Sequence, residues 1–347
     1  MNILQIASLL IVLAGAFGAI NYLFLKLPSA IGILVVAFIA SLAILGLDAL
    51  VPSLSIAEEV RTVVLGVDFS DALLEGMLGL LLFAGALHVK VSDLRAEALP
   101  VLLMATLGVA LSTVIVGTGF SWVTGMPLLV ALVFGALISP TDPVAVLGVL
   151  REANLQKSLE TKIAGESLFN DGVGYVVYLI LVGLAFPAVG GHGAEAEAHG
   201  AGGLAAAAQL FFQEAVGGAV LGLVLGWLTF RVMRRIDDYP LEVLITLGLA
   251  FGGYELAVAL HVSAPIMAVT AGLLIGDIGA KHGMSEQTRE YVDAFWKLVD
   301  EILNAVLFVM IGFEVFAVAF TTDTLTAGAL AVGLALIARL AAVALPV

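Results

Sequence analysis

The chain has 347 residues, of which 61% are hydrophobic and 12% are charged, and its formal net charge at pH 7 is −14. This apolar content exceeds what a soluble globular domain uses, and the acidic balance gives no reason to expect a nucleic-acid partner. The sequence contains no cysteine, which excludes disulfides.

Apolar runs of about 20 residues, the length that crosses roughly 30 Å of hydrocarbon, recur from one end of the chain to the other. The weakest run is 263–280, because Pro265 and Gly276 interrupt it. The pattern predicts an all-α polytopic membrane protein with one transmembrane domain over 1–347. Its eleven predicted spans are 3–24, 28–50, 69–89, 98–121, 127–150, 162–186, 205–232, 240–260, 263–280, 300–320 and 326–346.

The basic residues predict an orientation. Of the fourteen Lys and Arg residues, twelve fall in or beside the loops that follow odd-numbered spans, and Arg61 lies on the other side. Cytoplasmic loops are enriched in Lys and Arg, so the N-terminus is predicted outside and the chain end in the cytoplasm. The expected location is the cell membrane (the inner or plasma membrane), with the lipid bilayer as surroundings.

Segments outside the spans carry weaker signals. Two amphipathic stretches, 53–67 and 284–299, are predicted to lie at opposite membrane interfaces. Gly218, Gly222 and Gly226 are spaced four apart, which favours close packing of helices. The chain stops directly after an apolar span, so we expect a truncated C-terminus.

The stretch "ALISPTDPVAVLGVL", residues 136–150, places Pro140 and Pro143 in the middle of a predicted span. Each proline lacks an N–H, so the carbonyls of Ala136 and Ser139 would lose their helical partners. Transporters use broken helices of this kind to present oxygens to ions. A helix break is therefore predicted here, with Thr141 and Asp142 adding side-chain oxygens.

A polar stripe is predicted in "AGESLFNDGVGYVVY", residues 164–178. Glu166 and Asn170 are spaced i,i+4, and so are Ser167 and Asp171, which puts these residues along one side of a helix. The alternative is a satisfied polar cluster between helices. Ionisable residues at membrane depth mark function by default, and two carboxylates on one span favour a functional site.

Arg339 lies inside the last span and needs a counter-ion at that depth. Glu166 is the preferred partner, with Asp300, Glu301 and Glu314 as rivals. Snorkelling of Arg339 to the inner surface is the alternative.

The motif "SPTDPVAV", followed some thirty residues later by "GESLFNDGVG", resembles the sodium/proton exchanger family, in the NhaP/NHE branch of the cation:proton antiporters. The segments "HVSAPIMAVTAGLLIGD" and "FWKLVDEILNAVLFVMIGFEV" and the "AR" at 338–339 are also similar to that family. The resemblance covers essentially the whole chain in order.

The resemblance implies an inverted-repeat fold with an ion-carrying core, including 69–186 and 300–346, and a scaffold that forms a homodimer. It implies that Asp171 binds either cation or proton, that Thr141, Asp142 and Ser167 complete a Na⁺ site, and that Asn170 lies beside it. A Glu166–Arg339 pair is a further implied feature. Family members are expected to have two more helices, which we do not find after Val347.

The predicted function is secondary transport that exchanges a monovalent cation for H⁺ by alternating access. The hard oxygen ligands of the site favour Na⁺ as that cation. One carboxylate can serve both ions if burial brings its pKa close to the working pH. No enzyme activity and no cofactor is predicted; the transported ions are Na⁺ (or Li⁺ or K⁺) and H⁺. The alternatives are a cation channel, a K⁺/H⁺ exchanger and a non-transporting truncated fragment.

Overall fold

The computed structural model describes residues 3–51, 56–65, 77–142, 156–186, 204–280 and 283–344. All regular secondary structure in these ranges is helical. The α-helices are α1 (Ile3–Ile20), α2 (Ser29–Leu50), α3 (Ile56–Leu65), α4 (Leu78–Leu87), α5 (Val91–Ala96), α6 (Ala98–Leu103), α7 (Val109–Thr124), α8 (Leu128–Ile138), α9 (Lys157–Ala185), α10 (Leu204–Met233), α11 (Tyr239–Ala259), α12 (Ala264–Leu274), α13 (Glu286–Phe313) and α14 (Thr322–Ala344).

The helices match the predicted membrane spans. Among the described residues, seven helical stretches are long and apolar enough to cross a membrane, and α4, α8 and α12 with its extension to Gly279 are shorter apolar helices. Each of the eleven predicted runs coincides with at least part of a described helix. The prediction of an all-α polytopic membrane protein is confirmed.

One boundary differs from the prediction. The amphipathic stretch 284–299 and the span 300–320 were expected as separate elements, but α13 runs without interruption through Glu286–Phe313. No proline or glycine stands between Glu286 and Met310 to break the helix. A short 3₁₀ turn, Glu314–Phe316, follows it.

The chain divides into two compact units. The first contains the described residues of Met1–Leu81 and Lys297–Thr324, and the second contains those of Leu82–Pro143, Gln156–Trp296 and Leu325–Val347. Every described residue of the predicted site belongs to the second unit. The predicted division into core and scaffold helices stays a prediction.

The first unit has an apolar core at which α1, α2 and α13 meet. Helix α2 comes close to α13 because Gly312 has no side chain: an added Cβ would lie 2.4 Å from Ala37 Cβ. At the same level Ser41 Oγ donates a hydrogen bond of 2.9 Å to the Gly312 carbonyl. The buried members of this core are Ala14, Phe17, Ile33, Val36, Ala37, Phe308 and Val309.

In the second unit, α10 packs closely against α12 through the predicted glycine pattern. A Cβ on Gly222 would lie 1.9 Å from Thr270 Oγ1 and 2.4 Å from the Met267 carbonyl oxygen. A Cβ on Gly218 would lie 2.4 Å from the Ser263 carbonyl oxygen. The packing role predicted for these glycines is confirmed.

Candidate functional site

The helix break falls where the prolines predict it. Helix α8 ends at Ile138, and Thr141 and Asp142 are not helical. The Ser139 N–H donates to the Ala136 carbonyl at 3.4 Å. The expectation that Pro140 leaves this carbonyl without a partner is therefore wrong, because the last turn tightens and supplies an i→i+3 bond. Pro143 lies outside the described residues.

Ser139 fixes the end of α8 to its surroundings. Its Oγ donates to the Gly135 carbonyl at 2.6 Å and lies 3.2 Å from Thr113 Oγ1 on α7. Gly135 permits this approach, since a Cβ there would be 2.5 Å from the Thr113 carbonyl oxygen. The broken helix thus ends at a position defined by α7.

Beyond the break, the polar stripe of α9 binds Thr141 at three points. Ser167 Oγ donates to the Thr141 carbonyl. Asn170 Nδ2 donates to Thr141 Oγ1 at 3.0 Å, and Asn170 Oδ1 accepts from the Thr141 N–H at 3.5 Å. Ser167 and Asn170 are almost completely buried. The two residues hold the non-helical segment against α9.

Asp171 follows Asn170 directly on α9 and is half-buried. Its carboxyl group lies within electrostatic range of that of Asp142, which is exposed. The structure therefore brings the two predicted acidic residues of the site into one neighbourhood. Together with Thr141 they offer hard oxygen donors, the type that suits small alkali and alkaline-earth cations.

Two glycines on α9 allow this neighbourhood to close. A Cβ on Gly174 would lie 2.4 Å from Cγ of Pro140, and one on Gly172 would lie 2.7 Å from Cγ1 of Ile266 on α12. Sequence reasoning assigned these glycines no role, although "DGVG" after the acidic residue was visible. Glycines inside a long helix signal close approach of another segment.

Glu166 and Arg339 are paired. The guanidinium donates from Nη1 to Oε1 and from Nη2 to Oε2, the second bond being 2.7 Å long. The side chain of Glu166 is 4% exposed and that of Arg339 is 36% exposed. Glu166 Oε1 also accepts from Asn170 Nδ2 at 3.5 Å, so the pair adjoins the residues that hold Thr141.

Sequence reasoning missed Ser139 and Thr113 as residues that position the break. A buried serine directly before a proline in an apolar helix was the available signal for Ser139. Nothing in the local sequence singles out Thr113, whose contact with Ser139 spans 26 residues.

Comparison with known proteins agrees with this arrangement. The family model described as sodium/hydrogen exchanger, transmembrane, matches residues 7–346. The chain is 44% identical over 345 residues to the Na⁺/H⁺ antiporter NhaP of Pseudomonas aeruginosa, covering 97% of this chain and 78% of that protein. It is 35% identical over 293 residues to the Na⁺/H⁺ antiporter NhaH of Halobacillus dabanensis, covering 84% of this chain and 68% of that protein.

The fold is shared with a solved structure. The sodium proton antiporter MjNhaP1 from Methanocaldococcus jannaschii, at pH 8, matches with a TM-score of 0.74 at 19% identity, covering 100% of this chain and 79% of that chain. A family match over nearly the whole length, high identity to NhaP and a common fold lead to one conclusion. The chain belongs to the sodium/hydrogen exchanger family.

Proposed function

We propose that this multi-pass membrane protein exchanges Na⁺ for H⁺, and that Asp171 binds the two ions alternately. The relatives described above are named Na⁺/H⁺ antiporters, which supports the exchange reaction. The observation that carries the assignment to Asp171 is its place beside the end of a broken helix that Ser167 and Asn170 hold by hydrogen bonds.

The proximity of Asp142 and Asp171 supports competition between the two ions. Two negative charges that share a site repel each other. A bound Na⁺ relieves this repulsion, and a proton on Asp171 relieves it as well. Either ion removes one of the two negative charges, and neither is needed when the other is present.

Residues of the helix break have separate roles in this proposal. Thr141 and Asp142 contribute oxygen ligands, while Ser167 and Asn170 keep Thr141 in place. Glu166 and Arg339 neutralise each other beside the site. Alternating access then requires the loaded site to open to one side of the membrane at a time.

The experiment is sodium-driven proton transport in proteoliposomes containing the full chain. The variant Asp171→Asn should lose exchange completely while its thermal unfolding and gel-filtration profile stay close to those of the unmodified protein. Asp323→Asn makes the same chemical change at an exposed position and should transport normally. Sodium-driven proton flux in folded Asp171→Asn would refute the assignment of Asp171.

The same vesicles distinguish the other transport functions. Exchange predicts proton movement that depends on the cation gradient and saturates with cation concentration, whereas a channel conducts current without coupled proton movement. Replacing Na⁺ by Li⁺ or K⁺ in matched gradients identifies the preferred cation. Activity with K⁺ alone would replace Na⁺ in the proposal without affecting the role of Asp171.

We further propose a homodimer in the cell membrane with the N-terminus outside. The orientation is supported by the distribution of Lys and Arg between the loops. Cysteines introduced singly into this cysteine-free chain and labelled from outside intact cells would test it.

A further inference from the structure

Glu242, in the first turn of α11, is the most unusual acidic residue outside the candidate site. It has 0% exposure, and neither oxygen of its carboxyl group has a side-chain hydrogen-bond partner among the described residues, although the backbone N–H of Asp238 lies near the group. An ionised carboxylate buried without a partner costs several kcal/mol, whereas a neutral carboxyl group costs far less. The surroundings of Glu242 therefore determine which form the folded protein holds.

The nearest charged groups are acids. Asp237 and Asp238 are both within electrostatic range of Glu242. Asp238 caps α11 by accepting from the Leu241 N–H at 3.1 Å, and Asp237 accepts from Thr288 Oγ1 on α13 at 3.2 Å. These carboxylates are occupied as acceptors, and their charge opposes a third negative charge nearby.

Three of the described cations on neighbouring helices are directed elsewhere, and Arg235 and Lys297 make no hydrogen bond to the Glu242 carboxyl oxygens. At the end of α10, the Arg231 guanidinium lies 5.4 Å from the centre of the Trp227 ring and that of Arg234 lies 5.7 Å from the centre of the Phe230 ring. On α13, Arg289 pairs with Asp293 at 3.7 Å. The described part of α12 and its extension offers the acid Asp277, and the start of α13 adds Glu286 and Glu290. None of these groups bonds to the Glu242 carboxyl oxygens.

The position of Glu242 links it to the packing of α11 on α13. One turn further along α11, the buried Thr246 accepts a hydrogen bond of 2.9 Å from Trp296 Nε1. The rings of Tyr239 and Tyr291 stack with centroids 4.3 Å apart. Trp296 in turn lies against Phe83, with ring centroids 4.8 Å apart. A charge on Glu242 would need water, and loosening of the packing of α11 on α13 would let water reach it.

We propose that Glu242 is a second proton-binding site, distinct from Asp171, which holds its proton while α11 is packed on α13 and releases it to water when that packing loosens. The folded protein keeps the acid form, so a rising pH favours the loosened state. This inference does not depend on the exchange function, because it concerns the stability of one helix pair.

The test is thermal unfolding of the full chain in detergent at about pH 6 and about pH 9. The variant Glu242→Gln resembles the protonated acid and cannot ionise. Between the two pH values, the Tm of the unmodified protein should fall by at least about 2 °C more than the Tm of Glu242→Gln. Glu58→Gln, at an exposed position on α3 outside the predicted spans, should show the same fall as the unmodified protein.

An equal loss of Tm between the two pH values in Glu242→Gln and in the unmodified protein would overturn the proposal. If Glu242→Gln then also had the lower Tm at both pH values, the result would indicate an ionised, paired carboxylate. If Glu242→Gln does not fold, Glu242→Met provides an apolar side chain of similar length for the same comparison.

Infrared spectroscopy gives a measurement that needs no unfolding. In the Asp171→Asn background, the carbonyl stretching band of a protonated carboxyl group should be present at neutral pH and absent after the further change Glu242→Gln. An unchanged spectrum would refute the proposal, while a failure of exchange by Asp171→Asn protein has no bearing on it.

Discussion

The carboxylate of Glu166 and the guanidinium of Arg339 form a two-bond pair across 173 residues of chain. Buried pairs of this kind are strongly destabilised when one partner is lost, because the remaining charge has no compensation. The bond from Asn170 Nδ2 to Glu166 Oε1 is 3.5 Å long, so it links the pair only weakly to Thr141. We interpret the pair as structural support for the site rather than as an ion ligand.

This interpretation predicts non-additive effects of substitution. Glu166→Gln and Arg339→Gln should each lower the free energy of unfolding by about 3 kcal/mol, the lower end of the range for buried pairs. The lower end applies because 36% of the Arg339 side-chain surface is exposed, so the pair is only partly buried. The double variant should recover much of the loss, as measured by chemical or thermal unfolding of all four proteins. Additive losses would show that the two side chains act independently.

At the scale of elements, α9 approaches the broken helix because Gly174 has no side chain. Gly174→Ala would place a methyl group 2.4 Å from Cγ of Pro140, too close for both segments to keep their positions. We expect the segment at Thr141 to shift from Asn170, and the KM for Na⁺ in proteoliposome exchange to rise several-fold. Gly252→Ala on α11 adds the same methyl group where nothing lies within 4 Å and should leave the KM unchanged.

Helices α10 and α12 depend on the same kind of contact. Gly222→Ala would bring its Cβ to 2.4 Å from the Met267 carbonyl oxygen, which is backbone and cannot move aside. Overpacking of this kind costs about 1–3 kcal/mol. The expected result is a lower Tm for Gly222→Ala than for Gly248→Ala, whose added Cβ meets nothing within 4 Å. Equal Tm values would show that α10 and α12 can move apart without a loss of stability.

At the scale of the whole molecule, ion pairs connect α5 and the residue after it to the first turns of α9. The Lys157 Nζ lies 2.8 Å from Asp93 Oδ2, and the Lys162 Nζ lies 3.3 Å from Glu97 Oε2. The hydrogen bond from Lys157 holds the pKa of Asp93 below its ordinary value, and the hydrogen bond from Ser158, with Lys162, does the same for the pKa of Glu97. These carboxylates favour the folded protein when they are ionised.

Because the pKa values of Asp93 and Glu97 are lowered in the folded protein, acid should destabilise it. A carboxyl group with a lowered pKa in the folded state contributes stability above its ordinary pKa of about 4, and this contribution disappears as the pH falls through the folded-state value. The Tm should therefore decline below about pH 4, and the double variant Asp93→Asn/Glu97→Gln should show a shallower decline. Lys157 is exposed and the other three side chains are partly exposed, so the effect should also shrink in high salt. An acid decline identical in both proteins would exclude these pairs as its cause.

Several features were predictable because they are local properties of the chain. Membrane insertion follows from apolar runs of sufficient length, and the end of α8 follows from the missing N–H of Pro140. The stripe from Glu166 to Asp171 follows from helical periodicity. The paired motifs around these residues are enough to indicate the family, because each motif joins polar residues at a fixed spacing within apolar segments.

The contacts between residues that are far apart in sequence were decided by the tertiary structure. Four carboxylates were candidates for Arg339, and only the approach of α14 to α9 selects Glu166. Periodicity put Ser167 and Asn170 on a stripe, but the folded chain shows that both are bound to Thr141. Glu242 is buried among other helices, and within the described ranges its carboxyl oxygens have no side-chain hydrogen-bond partner. Hydrogen-bond partners and burial are properties of the packed molecule, since both depend on atoms that are far apart in sequence.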